Sequence, residues 1–406
     1  MIEQYDFVVF LDADWGTTSR KNRQHFLVAA LAHRLEGKCN FLAVERPVCP
    51  VTDPFRKRTR FLDWLRRRRG LRREGANLFV CTPFVWLHNV LAARVPGLTR
   101  ANRWILGLQI GQLTRRLGLR RGGLVAWIHH PYQMEDMGLA REQFLIYDCY
   151  DNYFSAARGR RLADLRRREA AILGRAHLVL VTSEQLQQAM ASRARRAHLL
   201  PNGVDVELFA QAMRSSTQVP ADLCGLPRPV VGFVGRITPR VDFALLAGIA
   251  SRHPDWTFVM LGPEDSDGPL AGEAGYLDLR SAANVHFLGP RPYEQLPAYL
   301  KGFDVCTIPY VLTEFNLGSC PLKLFEYMAA GKPIVSVDIP QVAHFEPLVR
   351  VAKTAAQFDG AIADSLDADP ESVRRKSLAL VGRNSWQRRA RSVTDAIQGA
   401  LQEDQR

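Results

Sequence analysis

No apolar run in the sequence approaches the ~18 residues that a membrane-crossing helix needs, which excludes a helical span of the ordinary kind. Cysteine is sparse: seven residues, an odd and scattered set with no CxxC pair and no Cys/His metal spacing. Such a set reads as reduced thiols in a cytosolic protein rather than as a disulfide framework or a zinc site. The opening residues, MIEQYDFVVFLD, have no basic stretch and carry three acids, so no secretory signal is expected. Internal repeats are absent, and so are low-complexity segments beyond one arginine run. With 47% hydrophobic and 23% charged residues, disorder, collagen and coiled coil are excluded as whole-chain classes. The chain of 406 residues is too long for one ordinary domain and suits two.

The net charge of +13 is localised. Arg56 to Glu74 holds ten basic and two acidic residues, and Arg94 to Arg121 holds seven arginines and no acid. These segments supply +8 and +7, so everything else sums to −2. Basicity is a property of two stretches in the first half.

Short apolar runs alternate with amphipathic helical stretches, the pattern of parallel α/β sheets. In the first half, strands are expected at Phe7–Leu11, Asn40–Val44, Leu78–Cys81, Leu124–Ile128, Phe144–Tyr147 and Leu178–Thr182. A second series is expected at Val230–Val234, Thr257–Leu261, Val285–Leu288, Val305–Pro309 and Pro333–Val337. Met213–Leu226 has the composition of a linker. After Asp338 the pattern offers helices and no further strand; a last helix returning to the first domain would account for them. The expected architecture is two doubly wound Rossmann-like domains facing a cleft. Residues 1–212 form the first, 227–380 the second, and 381–406 the returning helix. Ligands of such sheets sit at the carboxyl ends of the strands.

Two segments of the second half carry phosphate chemistry. Gly232–Arg240 (GFVGRITPR) joins a strand to a helix, where Gly235 lets backbone approach a phosphate and Arg236 adds a charge-assisted contact. Asn316–Val335 (NLGSCPLKLFEYMAAGKPIV) places a Gly/Ser/Cys loop at a helix start. Lys323 and Glu326 follow one turn apart, the lysine to reach phosphates and the carboxylate to chelate ribose hydroxyls. The bland alternatives are a strand-to-helix turn with an exposed arginine, and an i, i+3 ion pair on a solvated helix.

These segments, with PDWTFVMLGP, NVHFLGPRPYEQLPAYL and DVCTIPY, resemble the nucleotide-binding domain of GT-B glycosyltransferases. In the first half WIHHP, LIYDCYDNY, RRREAAILGRAHLVLVTS and LLPNGVDVELF resemble the same family. The likeness runs over nearly the whole chain. It is nearest to the enzymes of bacterial surface-polysaccharide assembly, of the teichuronic-acid type, and weaker towards the xanthan glucuronosyltransferase. The resemblance implies a nucleoside-diphosphate sugar donor, a UDP-sugar first and a GDP-sugar as the alternative, held by the second domain without a bound metal or cofactor. By resemblance Glu326 is the ribose-binding carboxylate, Arg236 and Lys323 face the diphosphate with Gly235 and Ser319 in the adjoining loops, and Arg291 to Tyr293 belong to the base-reading loop. The retaining pattern has a first glutamate eight positions before the second. Here that position is Gly318 and the nearest upstream glutamate is Glu314, which leaves retention and inversion both open.

In the first domain Asp148 and Asp151 stand at a strand end, where a general base belongs. By resemblance to the inverting xanthan enzyme, Asp151 takes the base position. The alternative is that either acid caps the segment that follows. His129 and His130 end the neighbouring strand, and His130 is placed to meet donor or acceptor. Trp15 and Arg20 lie in the first strand-to-helix loop (DWGTTSR), where an acceptor phosphate would be met. Arginines Arg66, Arg67, Arg68 and Arg69 interleave with Trp64, and a second basic run surrounds Trp104; such helices suit an anionic membrane surface. Nucleic acid is the rival for arginine clusters, but no RNA- or DNA-binding module accompanies them. The expectation is a cytoplasmic glycosyltransferase, peripheral on the inner face of the cell membrane, that acts on a glycolipid or lipid-linked saccharide acceptor. Nucleotide-sugar epimerisation, and a degenerate member that binds nucleotide or polyanion without turnover, are the alternatives.

Overall fold

The structure is a computed structural model. It describes the chain apart from residues 1, 16–21, 52, 57–60, 63, 66–69, 87–96, 120–121, 156, 266–267, 269 and 405–406. The expected site residues Arg20 and Arg66 to Arg69 lie outside the described residues. The chain divides into two compact units: Met1–Thr17, Gln24–Leu200 and Ala390–Arg406 form the first, Thr18–Arg23 and Pro201–Arg389 the second.

The sheet of the first unit comprises β1 (Tyr5–Phe10), β2 (Phe41–Val44), β3 (Arg72–Arg73), β4 (Leu78–Cys81), β5 (Gly123–Ile128), β6 (Phe144–Cys149), β7 (Leu178–Val181) and β8 (Ala197–Leu199). Among the described residues their order is β3-β4-β2-β1-β5-β6-β7-β8, parallel except for β3. β5 (GLVAWI) and β6 (FLIYDC) are buried at every residue. Strands covered on both faces read as continuous apolar runs rather than alternations, which is why the sequence exposes them. Trp127 and Tyr147, on opposite faces of the sheet, have essentially no exposure.

The second unit carries β9 (Val230–Val234), β10 (Thr257–Leu261), β11 (Val285–Gly289), β12 (Val305–Ile308), β13 (Ile334–Val337) and β14 (Val349–Ala352). Its order is β11-β10-β9-β12-β13-β14, with every pairing parallel. β14 corrects the expectation that no strand follows Asp338. An edge strand has one neighbour and one covered face, and VRVA, with Arg350 exposed, lacks the apolar run that marks the central strands. The helix Ala355–Leu366, expected to serve no strand, packs on β13 and β14. The segment 213–226 is folded onto the second unit: Lys301 Nζ donates to the carbonyls of Arg214 and Thr217 at 2.7 and 2.6 Å, and Leu223 is buried.

Both sheets share one topological feature. The chain fills one side of the first sheet from β1 and then returns to start the other side at β5. In the second sheet the same reversal falls between β9 and β12. At such a switch point the loops that leave the two strands part in opposite directions and open a crevice at the strand ends.

Candidate functional site

In the second unit the loops at the switch point bring several expected residues together. Gly235 follows β9 with φ of +142°, and Gly262 follows β10 with φ of +151°. A Cβ on Gly262 would lie 2.0 Å from the Gly235 carbonyl oxygen, and one on Gly235 would lie 2.7 Å from Lys323 Nζ. Both backbone conformation and space demand glycine. The Lys323 ammonium therefore sits directly against bare backbone at the end of β9.

Lys323 and Glu326 are carried by the helix Leu322–Ala329, which is buried along its length. Lys323 Nζ lies 3.5 Å from the centroid of the Phe233 ring and 4.8 Å from that of Tyr310. Burial lowers its pKa, and Tyr310 opposes that shift. One turn on, Glu326 Oε1 accepts the Tyr293 hydroxyl at 3.0 Å. Burial pushes the Glu326 carboxyl up to about 7 against the opposing pull of Tyr293 and Lys323. Cation and carboxylate thus share one dry wall, where each contact to a ligand is worth more than in water. Ser319, in the loop that opens this helix, is buried and donates to the Asn316 carbonyl at 2.8 Å. Gly318 is buried beside it. The helix start has no side-chain cap among the described residues, and its Leu324 amide donates to the Pro321 carbonyl at 3.2 Å.

The other expected residues of this unit are engaged within the protein. Arg236 Nη2 donates to both oxygens of Asp265, at 2.6 and 2.7 Å. Arg291 Nη2 donates to Asp222 at 2.7 Å and its Nε to the Tyr299 hydroxyl at 2.6 Å. A residue not singled out from the sequence shares a ring with Lys323. The Arg240 guanidinium lies 5.0 Å from the Tyr310 ring centroid and 4.4 Å from that of Phe315, with its Nε donating to Asn316 at 2.8 Å. Lys323 and Arg240 thus approach the same tyrosine. Arg240 is in GFVGRITPR and Tyr310 in DVCTIPY, on the loops after β9 and β12; the strand order would have marked both.

In the first unit the loops after β1, β5 and β6 gather a polar cluster. The Tyr150 hydroxyl donates to Asp12, and Gln24 Nε2 donates to the other oxygen of that carboxylate at 2.5 Å. Asp148, on β6, is wholly buried, with His129 Nε2 4.0 Å from its Oδ2. His129 Nδ1 is 3.0 Å from the Phe10 carbonyl, which makes that nitrogen the donor. Asp151 follows the strand and is half-buried; its carbonyl accepts the Tyr153 amide at 3.1 Å. His130 Nδ1 accepts the Tyr132 amide at 3.1 Å, which puts the proton of the neutral ring on Nε2. Burial lowers its pKa to about 4, so at neutral pH the ring is uncharged. Asp12 and Tyr150 were not among the expected residues. A lone acid after a strand carries no sequence mark, and the contact that singles it out spans 138 residues.

Trp15 is held by its amide, which donates to Glu45 at 2.6 Å, and its ring lies 5.1 Å from that of His25. Trp64 turns inward: its Nε1 donates to the Thr82 carbonyl at 3.0 Å and its ring packs between Phe61 and Phe84. Trp104 is the reverse case, 67% exposed on the helix Leu98–Arg116. Among the described residues no helix is long and apolar enough to cross a membrane.

Comparison with known proteins gives this arrangement a class. Residues 228–368 match the family model described as glycosyl transferases group 1. The chain is similar to the teichuronic acid biosynthesis glycosyltransferase TuaH of Bacillus subtilis, 32% identical over 213 residues, 50% of this chain and 52% of that protein. It is similar also to the phosphatidyl-myo-inositol mannosyltransferase of Mycobacterium tuberculosis, 32% identical over 187 residues, 44% of this chain and 42% of that protein. The chain spans about half the length of these two curated relatives. In fold it resembles HepE of Anabaena, solved in complex with UDP and glucose, with a TM-score of 0.65 at 14% identity over 97% of this chain and 99% of that one.

The fold is GT-B, two Rossmann-like α/β domains in one chain. Residues 228–368, which match the group 1 glycosyl transferase model, lie within the second unit, and the resemblance read from the motifs is borne out.

Proposed function

We propose that the protein transfers a sugar from a nucleoside-diphosphate sugar, with UDP-sugars the first candidates, to a membrane-linked glycolipid or polysaccharide acceptor at the inner face of the cell membrane. The observation that carries this reading is the pairing of buried Lys323 with buried Glu326 one turn apart at the switch point of the second sheet. A dry cation beside uncapped helix amides suits a diphosphate; a dry carboxylate suits two ribose hydroxyls. UDP in HepE and the lipid named for the mannosyltransferase support donor and acceptor class respectively.

In this reading the acceptor hydroxyl attacks the anomeric carbon and the nucleoside diphosphate leaves. Lys323, Arg240 and the loop amides balance the charge that grows on the leaving group. Arg236, already neutralised by Asp265, contributes less than Arg240. Asp151 takes the acceptor proton if the enzyme inverts, while His130 donates from Nε2 to a sugar oxygen. The test is incubation with a panel of nucleotide sugars while nucleotide release is followed. Release that depends on a lipid-linked acceptor supports transfer. Interconversion of the donor sugar without acceptor, or binding without any release, overturns it.

A further inference from the structure

The helix Leu98–Arg116 is apolar on two opposite sides, and only one of them is spent on the core. Asn102, Leu106 and Ile110 face inward and are buried. On the other side Trp104 and Leu108 are 67% and 50% exposed. At about 100° per residue, Arg100, Trp104, Leu108 and Arg115 fall within a sector of about 80°. Gly111, beside Trp104 on that surface, has open space where a side chain would stand. Arg100, Arg115 and Arg116 are exposed, and the segment Arg94 to Arg121 contains no acid at all.

We propose that this face enters an anionic lipid leaflet, with Trp104 and Leu108 as the inserted wedge and the arginines at the helix ends as the headgroup contacts. This rests on the reading of a membrane-linked acceptor and assigns it a contact. The occupant follows from charge. A second copy of the chain would bring acid-free arginine surfaces together, whereas phosphate headgroups match them. Trp64 is not part of the wedge, because its indole is hydrogen-bonded to Thr82 and packed between Phe61 and Phe84. The apolar pair supplies the part of binding that salt does not screen, since charge alone fades beyond ~8 Å at physiological salt.

The experiment is co-sedimentation of the full chain with phosphatidylcholine vesicles and with vesicles containing half phosphatidylglycerol, for the wild type, the double variant Trp104→Ala/Leu108→Ala, and Trp64→Phe. The wild type is expected to bind the anionic vesicles and to leave the neutral ones in solution. The double variant should lose at least about tenfold in partitioning and become strongly salt-sensitive. Trp64→Phe should bind as the wild type does. Brominated lipid should quench wild-type tryptophan fluorescence and quench Trp104→Phe much less. The two exchanged side chains face solvent, so an unchanged melting temperature and far-UV dichroism check that the variant is folded. Wild-type binding with no loss in the folded double variant overturns the wedge and leaves the membrane reading standing. No binding by the wild type overturns both. A concentration-dependent dimer that the double variant abolishes assigns the face to a second copy instead and overturns the lipid.

Discussion

The Tyr293 hydroxyl donates to Glu326 Oε1 at 3.0 Å inside a buried wall of the second unit. Tyrosine and glutamate come from different elements, 33 residues apart, and the bond fixes the rotamer of the one carboxylate that shares a helix turn with Lys323. A carboxylate positioned before a ligand arrives loses less freedom on binding.

Glu326 makes ligand affinity and stability pull in opposite directions with pH. Its pKa is raised by burial to about 7, above the ordinary 4.5. Between those values the native state holds a proton that the unfolded chain has released. The group's contribution to stability is therefore complete below about 4.5 and is lost as pH rises through about 7. Glu326→Gln should melt above the wild type at pH 7.5 and close to it at pH 4.5, as scanning calorimetry would record. Nucleotide affinity of the wild type should rise as pH passes about 7, because ribose hydroxyls need the ionised form. In Glu326→Gln it should be weak and flat. A pH-independent wild-type affinity would refute the ribose role.

Lys323→Met keeps an unbranched apolar stem and removes the ammonium that lies over Phe233. UDP affinity should fall by roughly tenfold or more, since a charge-assisted contact to phosphate is typically worth ~1.5–3 kcal/mol. The unliganded melting temperature should hold or rise, because a desolvated ammonium is costly. Isothermal titration with UDP reads the first quantity and thermal unfolding the second. Arg240→Gln should weaken UDP more than Arg236→Gln does, reversing the order expected from the motif alone.

Gly235→Ala and Gly262→Ala separate site from fold. The Cβ of the first would meet the far end of a lysine side chain, which can retreat, so beyond the backbone strain that both substitutions share its steric cost is small and nucleotide binding should suffer. The Cβ of the second would meet backbone oxygen at 2.0 Å, which cannot retreat. That substitution should destabilise by at least about 2–3 kcal/mol in urea unfolding. Equal loss of stability in both would show that Lys323 is clamped.

In the first unit, Asp151→Asn should abolish most turnover with donor affinity near the wild type, as a group acting mainly in the transition state does. Asp12→Asn in parallel decides which strand-end carboxylate takes the proton. Near-normal turnover in Asp151→Asn together with loss in Asp12→Asn would move the base to the loop after β1.

What the sequence disclosed depended on burial from both sides. The helices Glu184–Ala191, Phe243–Arg252 and Ala355–Leu366 are marked in the sequence by an apolar stripe that begins at a capping side chain, Ser183, Asp242 and Thr354 respectively. The central strands were legible within a residue or two. Of the edge strands β11 was legible, whereas β3, β8 and β14 were not, because a strand with one neighbour need not be apolar. The linker reading of 213–226 missed the lysine that ties it down, since Lys301 lies some 85 residues further on.

The sequence by itself determined the α/β class, the two series of strands, the helix bearing Lys323 and Glu326, and the confinement of excess charge to two segments. All of these are local in the chain: spacing, turn residues and runs of like character. Which arginine shares Tyr310 with Lys323, which oxygen of Glu326 is held by Tyr293, and that Trp64 turns in while Trp104 turns out were decided by tertiary structure alone. Each depends on partners brought together by sheet order and helix rotation. A residue's charge or aromaticity is written in the chain, but what neutralises it or covers it is not.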